Sequence, residues 1–552
     1  MTVLSVRVDG PADVSAVVST LVDDRVASRI AVKDPTLWGP EAEPEAAKRL
    51  GWVDLPLRSG DLLAELDELV ASARADGLDR VVLCGMGGSS LAPEVIVAAA
   101  VHAARSGAQR SDAAGYDVRP LVVLDSTDPD TVRPAATADL ERTIVVVSSK
   151  SGSTVETDSQ RRAFVAAFER ADIDAKSRIV VVTDPGSPFE ALARSEGYRA
   201  VVLADPDVGG RYSAFTAFGL VPSALAGVDV RALLDEAAAV LADLALDDPT
   251  NAALMLGAAF AGTDPLRDKI AIDDQAGGLA GFGAWAEQLV AESTGKSGTG
   301  VLPVVVEPDA PEIRWPASDV LTVRVSADPA TVDIESAMPT HVHVAGPLGA
   351  QMMLWEVATA VAGRLLGINP FDQPDVEAAK IAARALLDNQ PEPTPADLVD
   401  DDIEIRGVGL ALDGVQDLAG AVEALFAQVP PTGYVAVMAY LDRVGEDAVL
   451  AQVRRPIALR TERPTTFGWG PRFLHSTGQF HKGGPPIGVF LQITGEPPED
   501  LDVPDRPYTF GRLIAAQAAG DANVLADHGR PVLRLHLTDR RAGVARLLEV
   551  LR

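Results

Sequence analysis

The chain has 552 residues, 79 of them Asp or Glu and 48 Lys or Arg, so its formal net charge is −31. Such an acidic surface repels nucleic acid and anionic membranes, and the single cysteine, Cys84, excludes an internal disulfide framework and a cysteine-built zinc cage. The length predicts about three domains at ~100–200 residues each, and with neither a secretory signal pattern nor a run near ~18 uninterrupted apolar residues, the expectation is a cytoplasmic protein.

Residues 1–49 read as an N-terminal segment. Short β-branched runs then alternate with helix-length spacers: RVVLCG (80–85), PLVVLDS (120–126), TIVVVSS (143–149), RIVVVTD (178–184) and RAVVLAD (199–205). Continuous apolar strands of this kind predict a parallel sheet covered on both faces, which makes 50–230 a first α/β domain. Helical patterns at 231–261, 283–293 and 349–366 alternate with KIAID (269–273), LPVVV (302–306), LTVRVS (321–326) and THVHVAG (340–346), and predict a second α/β domain over 231–390. A Pro- and Asp-rich stretch reads as a linker at 391–404. Beyond it GYVAVMAYLD (433–442), VFLQIT (489–494) and VLRLHL (532–537) predict a third, accessory α/β unit at 405–552.

A chain this acidic must assemble any phosphate site locally, from backbone N–H groups, hydroxyls and one or two cations. Four segments fall at predicted strand ends, where open α/β sheets put ligands. GMGGSSLAPEV (85–95) follows a strand and opens a helix. Its glycines let backbone N–H groups approach an anion, and a tight strand–helix turn without a ligand fits equally well. SSKSGSTVET (148–157) clusters Ser149, Ser151, Ser153 and Thr154 beside Lys150. N-capping accounts for one or two of these hydroxyls, and a phosphate accounts for the whole set. GGRYSAFTAFG (209–219) sets Arg211 against an apolar run, suited either to an oxyanion or to a surface salt bridge. In AEQLVAESTGKSG (286–298) an amphipathic helix ends in Glu292, followed by a helix-stopping Gly295.

GMGGSS, SSKSGST, GGRYS, Gln288-Leu-Val-Ala-Glu292-Ser-Thr-Gly-Lys and FDQPDVEAAK, in that order across about 50–390, resemble the glucose-6-phosphate isomerases of the sugar-isomerase-domain superfamily. The resemblance implies two doubly wound parallel-sheet domains of that type plus the third C-terminal α/β unit. It implies reversible isomerisation of glucose 6-phosphate and fructose 6-phosphate in glycolysis and gluconeogenesis, without metal or redox cofactor, in a homodimer. By motif position, Gly88, Ser89, Ser149, Lys150, Ser151 and Thr154 match the sugar-phosphate site. Arg211 matches the arginine that stabilises the enediolate, Glu292 the catalytic base, and Gln288 a substrate-contacting amide. Gln373 and Lys380 match a late Gln and Lys of the pattern, with Lys380 in the catalytic set.

Three departures from the family pattern stand out. Thr294 replaces an Asn, which is expected to alter the sugar-side hydrogen bonds. The ring-opening histidine of the family falls here on Gln351, in GPLGAQ (346–351). Candidates for its role are His341 and His343 in the 340–346 run, and His475 and His481 in LHSTGQFHKGGP (474–485). Of these His481 joins the catalytic set, with its loop expected to reach the cleft of the first domain. The third departure is the C-terminal unit itself, which lies outside the matched pattern. Two other activities fit the motifs: an isomerase that also takes mannose 6-phosphate, and a sugar-phosphate-binding protein without catalysis, which has no need of Arg211 and Glu292 together.

Overall fold

Short valine and isoleucine runs bury both faces and therefore become central strands, and the computed structural model describes them within residues 4–10, 13–106, 117–275, 277–279, 281–328, 340–389 and 394–552. Strand β1 (Ser5–Val8) comes first. Next, β2 (Arg80–Gly85), β3 (Val122–Leu124), β4 (Thr143–Ser148), β5 (Ile179–Thr183) and β6 (Ala200–Leu203) form an all-parallel sheet in the order β3-β2-β4-β5-β6. The strand order reverses between β2 and β4, whose last residues, Gly85 and Ser148, are register partners. A crevice opens at such a reversal, and the loops GMGGSS and SSKSGST leave the sheet there.

The second sheet uses β7 (Lys269–Asp273), β8 (Leu302–Val305), β9 (Val320–Ser326) and β10 (Val342–Ala345), in the order β1-β10-β9-β7-β8. Its antiparallel edge is β1, so the N-terminal segment is part of this sheet and not a separate piece. The reason is packing: Val6 and Val8 lie against the core that runs continuously beneath both sheets, and β1 pairs the open edge of β10.

The third sheet has β11 (Leu398–Asp400), β12 (Ile403–Val408), β13 (Tyr434–Tyr440), β14 (Thr465–Trp469), β15 (Gly488–Gly495) and β16 (Val532–Leu537), ordered β11-β12-β16-β15-β13-β14. The expected linker thus carries a hairpin, in which Leu398 pairs with Ile405 and Asp400 with Ile403. Alternating burial of Ile403 and Ile405 on the sheet's apolar face holds it in place. No helix among the described residues is long and apolar enough to cross a membrane.

The C-terminal unit shares a core with the second sheet: Tyr434, Phe473, Phe480 and Phe490 pack with Ala291, Leu302 and Val304. Ion pairs tie it to the first domain. Arg443 reaches Glu94 at 3.2 Å and Asp125 at 3.0 Å, Arg472 pairs with the same two carboxylates, and Arg540 meets Asp128 at 2.8 Å. Backbone approaches backbone at Gly295, where a Cβ would lie 2.4 Å from Phe480 Cα. Because Gly295 has φ −76°, alanine suits the backbone there and only Phe480 opposes it. Gly295→Ala is expected to destabilise the protein by about 1–3 kcal/mol through overpacking. Thermal unfolding checks this against Gly209→Ala, whose Cβ meets nothing within 4 Å and which should leave the midpoint in place.

Candidate active site

The helix Phe282–Thr294 buries Phe282, Trp285, Leu289 and Val290. Gln288 and Glu292, one turn apart, therefore share its other face. Gln288 Nε2 donates to Glu292 Oε2 at 3.0 Å and to the backbone carbonyl of His475 at 2.8 Å. Its Oε1 is buried with no hydrogen-bond partner among the described residues. Thr294 turns inward: its hydroxyl donates to the Val290 carbonyl at 2.8 Å and accepts from Val301 N at 2.9 Å. The Thr294 hydroxyl is thus committed to the backbone at the helix end.

Arg211 sits in a short turn, Gly210–Tyr212, and is buried. Its Nε donates to Ser293 Oγ at 2.8 Å, Nη2 to the carbonyls of Pro370 (2.7 Å) and Asp372 (3.0 Å), and Nη1 to Gln373 Oε1 at 2.9 Å. Nη1 also lies 3.4 Å from Glu292 Oε1. The arginine turn can approach the first loop because Gly88 has no Cβ, which would fall 1.9 Å from the Gly210 carbonyl oxygen. Beside it, Lys296 Nζ donates to the carbonyls of Asn369 (2.7 Å) and Asp372 (2.6 Å) and to Asp372 Oδ1 at 2.7 Å. Burial, then the neighbouring Arg211 charge, brings its pKa down to about 8.

In the serine-rich loop, Ser149 Oγ donates to Thr154 Oγ1 at 3.1 Å and accepts from Gly152 N at 3.1 Å, while Ser151 and Ser153 share a 2.7 Å hydrogen bond. Thr154 caps the helix Val155–Arg170 with a backbone angle outside the helical range and makes no side-chain cap bond. Ser89 is half-buried in the loop after β2. Lys150 is committed elsewhere: its Nζ donates to the Val208 carbonyl at 2.5 Å and pairs with Asp184 at 3.1 Å. The loop's hydroxyls and the helix N-terminus are what face an incoming anion.

Among the histidines the geometry reverses the expected choice. His481 is buried, its Nδ1 2.9 Å from the Tyr434 hydroxyl and its ring stacked on Tyr434. Burial, reinforced by Lys482 and Arg530, drives its pKa well below the ordinary range. It is a core residue, because the short helix Gly478–Gly483 turns that face inward. His475 reaches the cleft: its Nε2 lies 3.3 Å from Glu156 Oε1, and its Cβ would crowd any Cβ placed on Gly87. Glu156 also accepts from Gln517 Nε2 at 2.7 Å. Burial pushes the Glu156 carboxyl up, but the His475 hydrogen bond and charge, helped by Lys380, hold it below the usual range. His341 serves the sheet, where its Nδ1 accepts from Thr322 N at 3.1 Å, and His343 lies in β10 with its pKa lowered to about 4 by burial and by Arg7 and Arg324. Gln351 is tied to the Ser326 and Gly346 carbonyls at 2.6 and 2.8 Å.

Glu292, Arg211, Gln288, Gln373 and, through its charge on Glu156, Lys380 are thus gathered at one cleft, next to the glycine and serine loops. Glu156 and Gln517 were not singled out from the sequence. Glu156 lay inside the serine-rich segment without a role, and the available signal for Gln517 was a lone amide in the apolar run IAAQAAG. A carboxylate, a carbonyl-tethered guanidinium and a histidine–carboxylate pair around one cleft can move protons on a substrate and hold the negative charge that develops.

A family model described as Phosphoglucose isomerase matches residues 69–316. A glucose-6-phosphate isomerase of Symbiobacterium thermophilum is 31% identical over 405 residues, covering 61% of this chain and 86% of that protein. One from Rubrobacter xylanophilus is 31% identical over 388 residues, covering 60% of this chain and 87% of that protein. Among solved structures, a hypothetical protein from Thermus thermophilus aligns with a TM-score of 0.53 at 24% identity, over 69% of this chain and 100% of that chain, a likeness of fold.

Glu287, adjacent to Gln288, lines a small cavity with Phe473, Thr477 and His481, and burial brings its pKa up to about 7 despite Arg472 and the Ser476 hydroxyl. A carboxyl raised on folding stabilises the native state at low pH and loses that contribution as the unfolded chain ionises. Between about pH 4.5 and 7 the stability of Glu287→Gln relative to wild type should therefore rise by about 3 kcal/mol. Denaturation midpoints measured across that window check it.

Proposed function

The chain belongs to the glucose-6-phosphate isomerase family, and we propose on that premise how its residues divide the interconversion of glucose 6-phosphate and fructose 6-phosphate. Glu292 removes the C2 proton of the open-chain aldose phosphate and returns it to C1. Arg211 holds the charge of the cis-enediolate while a proton passes from O2 to O1, and the product is the ketose phosphate. The hydroxyls of Ser149, Ser151 and Thr154, with Gly88 and Ser89, bind the phosphate, and Lys150 braces their loop. Gln288 Oε1 accepts a substrate hydroxyl, and Gln373 fixes Arg211. Lys380 adds to the His475 hydrogen bond and charge that hold the Glu156 carboxyl below its usual range.

Ring opening falls to His475, which exchanges a proton with the ring oxygen and is oriented by Glu156. The observation that carries this reading is the double hydrogen bond of Gln288 Nε2, which joins the Glu292 carboxylate to the His475 backbone. A binding-only protein has no use for Glu292 set against Arg211 at 3.4 Å. The single cysteine supports a cytoplasmic enzyme, and the family resemblance supports a homodimer.

Conversion of fructose 6-phosphate should vanish in Glu292→Gln while phosphate-ligand binding persists. His475→Gln should lower kcat on cyclic hexose phosphates by about 10²–10⁴, the usual worth of a general acid–base group. It should spare a tetrose 4-phosphate, which has no free hydroxyl placed to close a ring. His481→Gln should keep turnover per folded enzyme. Full activity of His475→Gln on the cyclic substrate would overturn its role.

A further inference from the structure

A cavity of about 960 Å³ lies outside this cleft, between the C-terminal unit and the end of the helix Val376–Asn389. None of the residues assigned to the isomerase site lines it. Its floor is the polar end of the third sheet. Cross-strand partners there are Arg406, Arg534 and Gln492 in one row, and Glu404, His536 and Thr494 in the next. The opposite face of the same strands, with Leu533, Leu535, Leu537, Ile403 and Ile493, is wholly apolar core.

Two arginines directly opposite one another on neighbouring strands repel. Arg406 is neutralised by Glu404 at 2.6 Å. Arg534 has no carboxylate within 4 Å among the described residues, and its Nε donates to Gln492 Oε1 at 2.9 Å. Its terminal nitrogens are therefore left toward the cavity, half-buried and without a counter-charge. In so acidic a chain an unneutralised guanidinium on a cavity floor is costly unless an anion completes it. The wall adds His536, held by Thr494 Oγ1 at 2.9 Å and by Glu496, together with Tyr508 and Asn523. The position has a topological reason. Strand β13 lies between β14 and β15, so the order reverses there, and Tyr440, Thr494 and Gly495 at the ends of β13 and β15 line the cavity. Its volume lies within the usual ~300–1,000 Å³ of small-molecule sites.

We propose that this cavity is a second binding site, which takes a small phosphorylated metabolite with its phosphate on Arg534. A guanidinium fork suits the oxygens of phosphate, and the polar wall suits a hydroxylated body.

Equilibrium dialysis of the full chain with inorganic phosphate tests it. Wild type should bind two phosphates per chain, one in the isomerase cleft and one here. Arg534→Gln should lose one of them, its affinity falling by about tenfold or more, while turnover of fructose 6-phosphate stays at the wild-type value. Ala515→Trp, on the exposed rim, should also lose it without touching the charges. One phosphate per chain in wild type, or two in both variants, would overturn the proposal. So would retention of succinate at Arg534 in place of phosphate.

Discussion

A quartet of charges centred on the buried Asp125, with Glu94 from the first domain and the part-buried Arg443 and Arg472 from the C-terminal unit, ties that unit to the sheet at the cleft. Asp125 is fully buried at the end of β3, and Glu94 lies on the helix that follows the glycine loop. Burial disfavours the Arg472 charge, but the two carboxylates outweigh it and raise its pKa. Removing both arginines would leave Asp125 buried without a counter-charge, at a cost of about 3–5 kcal/mol. Since Arg472 is three residues before His475, the same pairs that dock the unit also deliver the histidine.

Docking this close depends on missing side chains. Gly87, with φ +56°, would carry a Cβ 2.8 Å from Gln288 Nε2 and 3.0 Å from His475 Cβ, and Gly295 would meet Phe480. The left-handed backbone at Gly87 and the empty space beside it serve one purpose. The glycine loop of the first domain, the helix of the base and the histidine loop of the third unit converge within hydrogen-bonding range. In a chain that has Gln351 where the family pattern has histidine, the third unit places the His475 imidazole beside Glu156 and the glycine loop.

The central strands were legible because uninterrupted Val and Ile runs are buried on both faces, as in TIVVVSS and RIVVVTD. Strands β1, β11, β12 and β14 were not, since pieces such as SVRV and TTFGW are short and only partly buried, and their pairing partners lie far away in sequence. That Glu292 and Arg211 belong to one site was implied by the family resemblance, and the structure brings them within 3.4 Å. The choice between His475 and His481 could not be read from the sequence. They are six residues apart, across a 3₁₀ turn and a six-residue helix, and only the packing of Phe480 and Tyr434 decides which ring is buried. Glu156 was hidden for a related reason, because its partner comes from 319 residues along the chain.

The acidity of the chain gains a local answer in how the cleft holds its cations. Arg211 and Lys296 are anchored chiefly by backbone carbonyls, those of Pro370, Asn369 and Asp372, which fix position without cancelling charge. Asp372 offsets Lys296 from the rim, and Glu292 is the carboxylate left against Arg211. In the proposed mechanism, when Glu292 takes a proton its negative charge disappears at the moment the substrate oxygen acquires one. The guanidinium, 3.4 Å from the Glu292 carboxylate, would then face one anion in place of another. Charge moves within one fixed frame, so no counter-ion or side chain has to rearrange during the step.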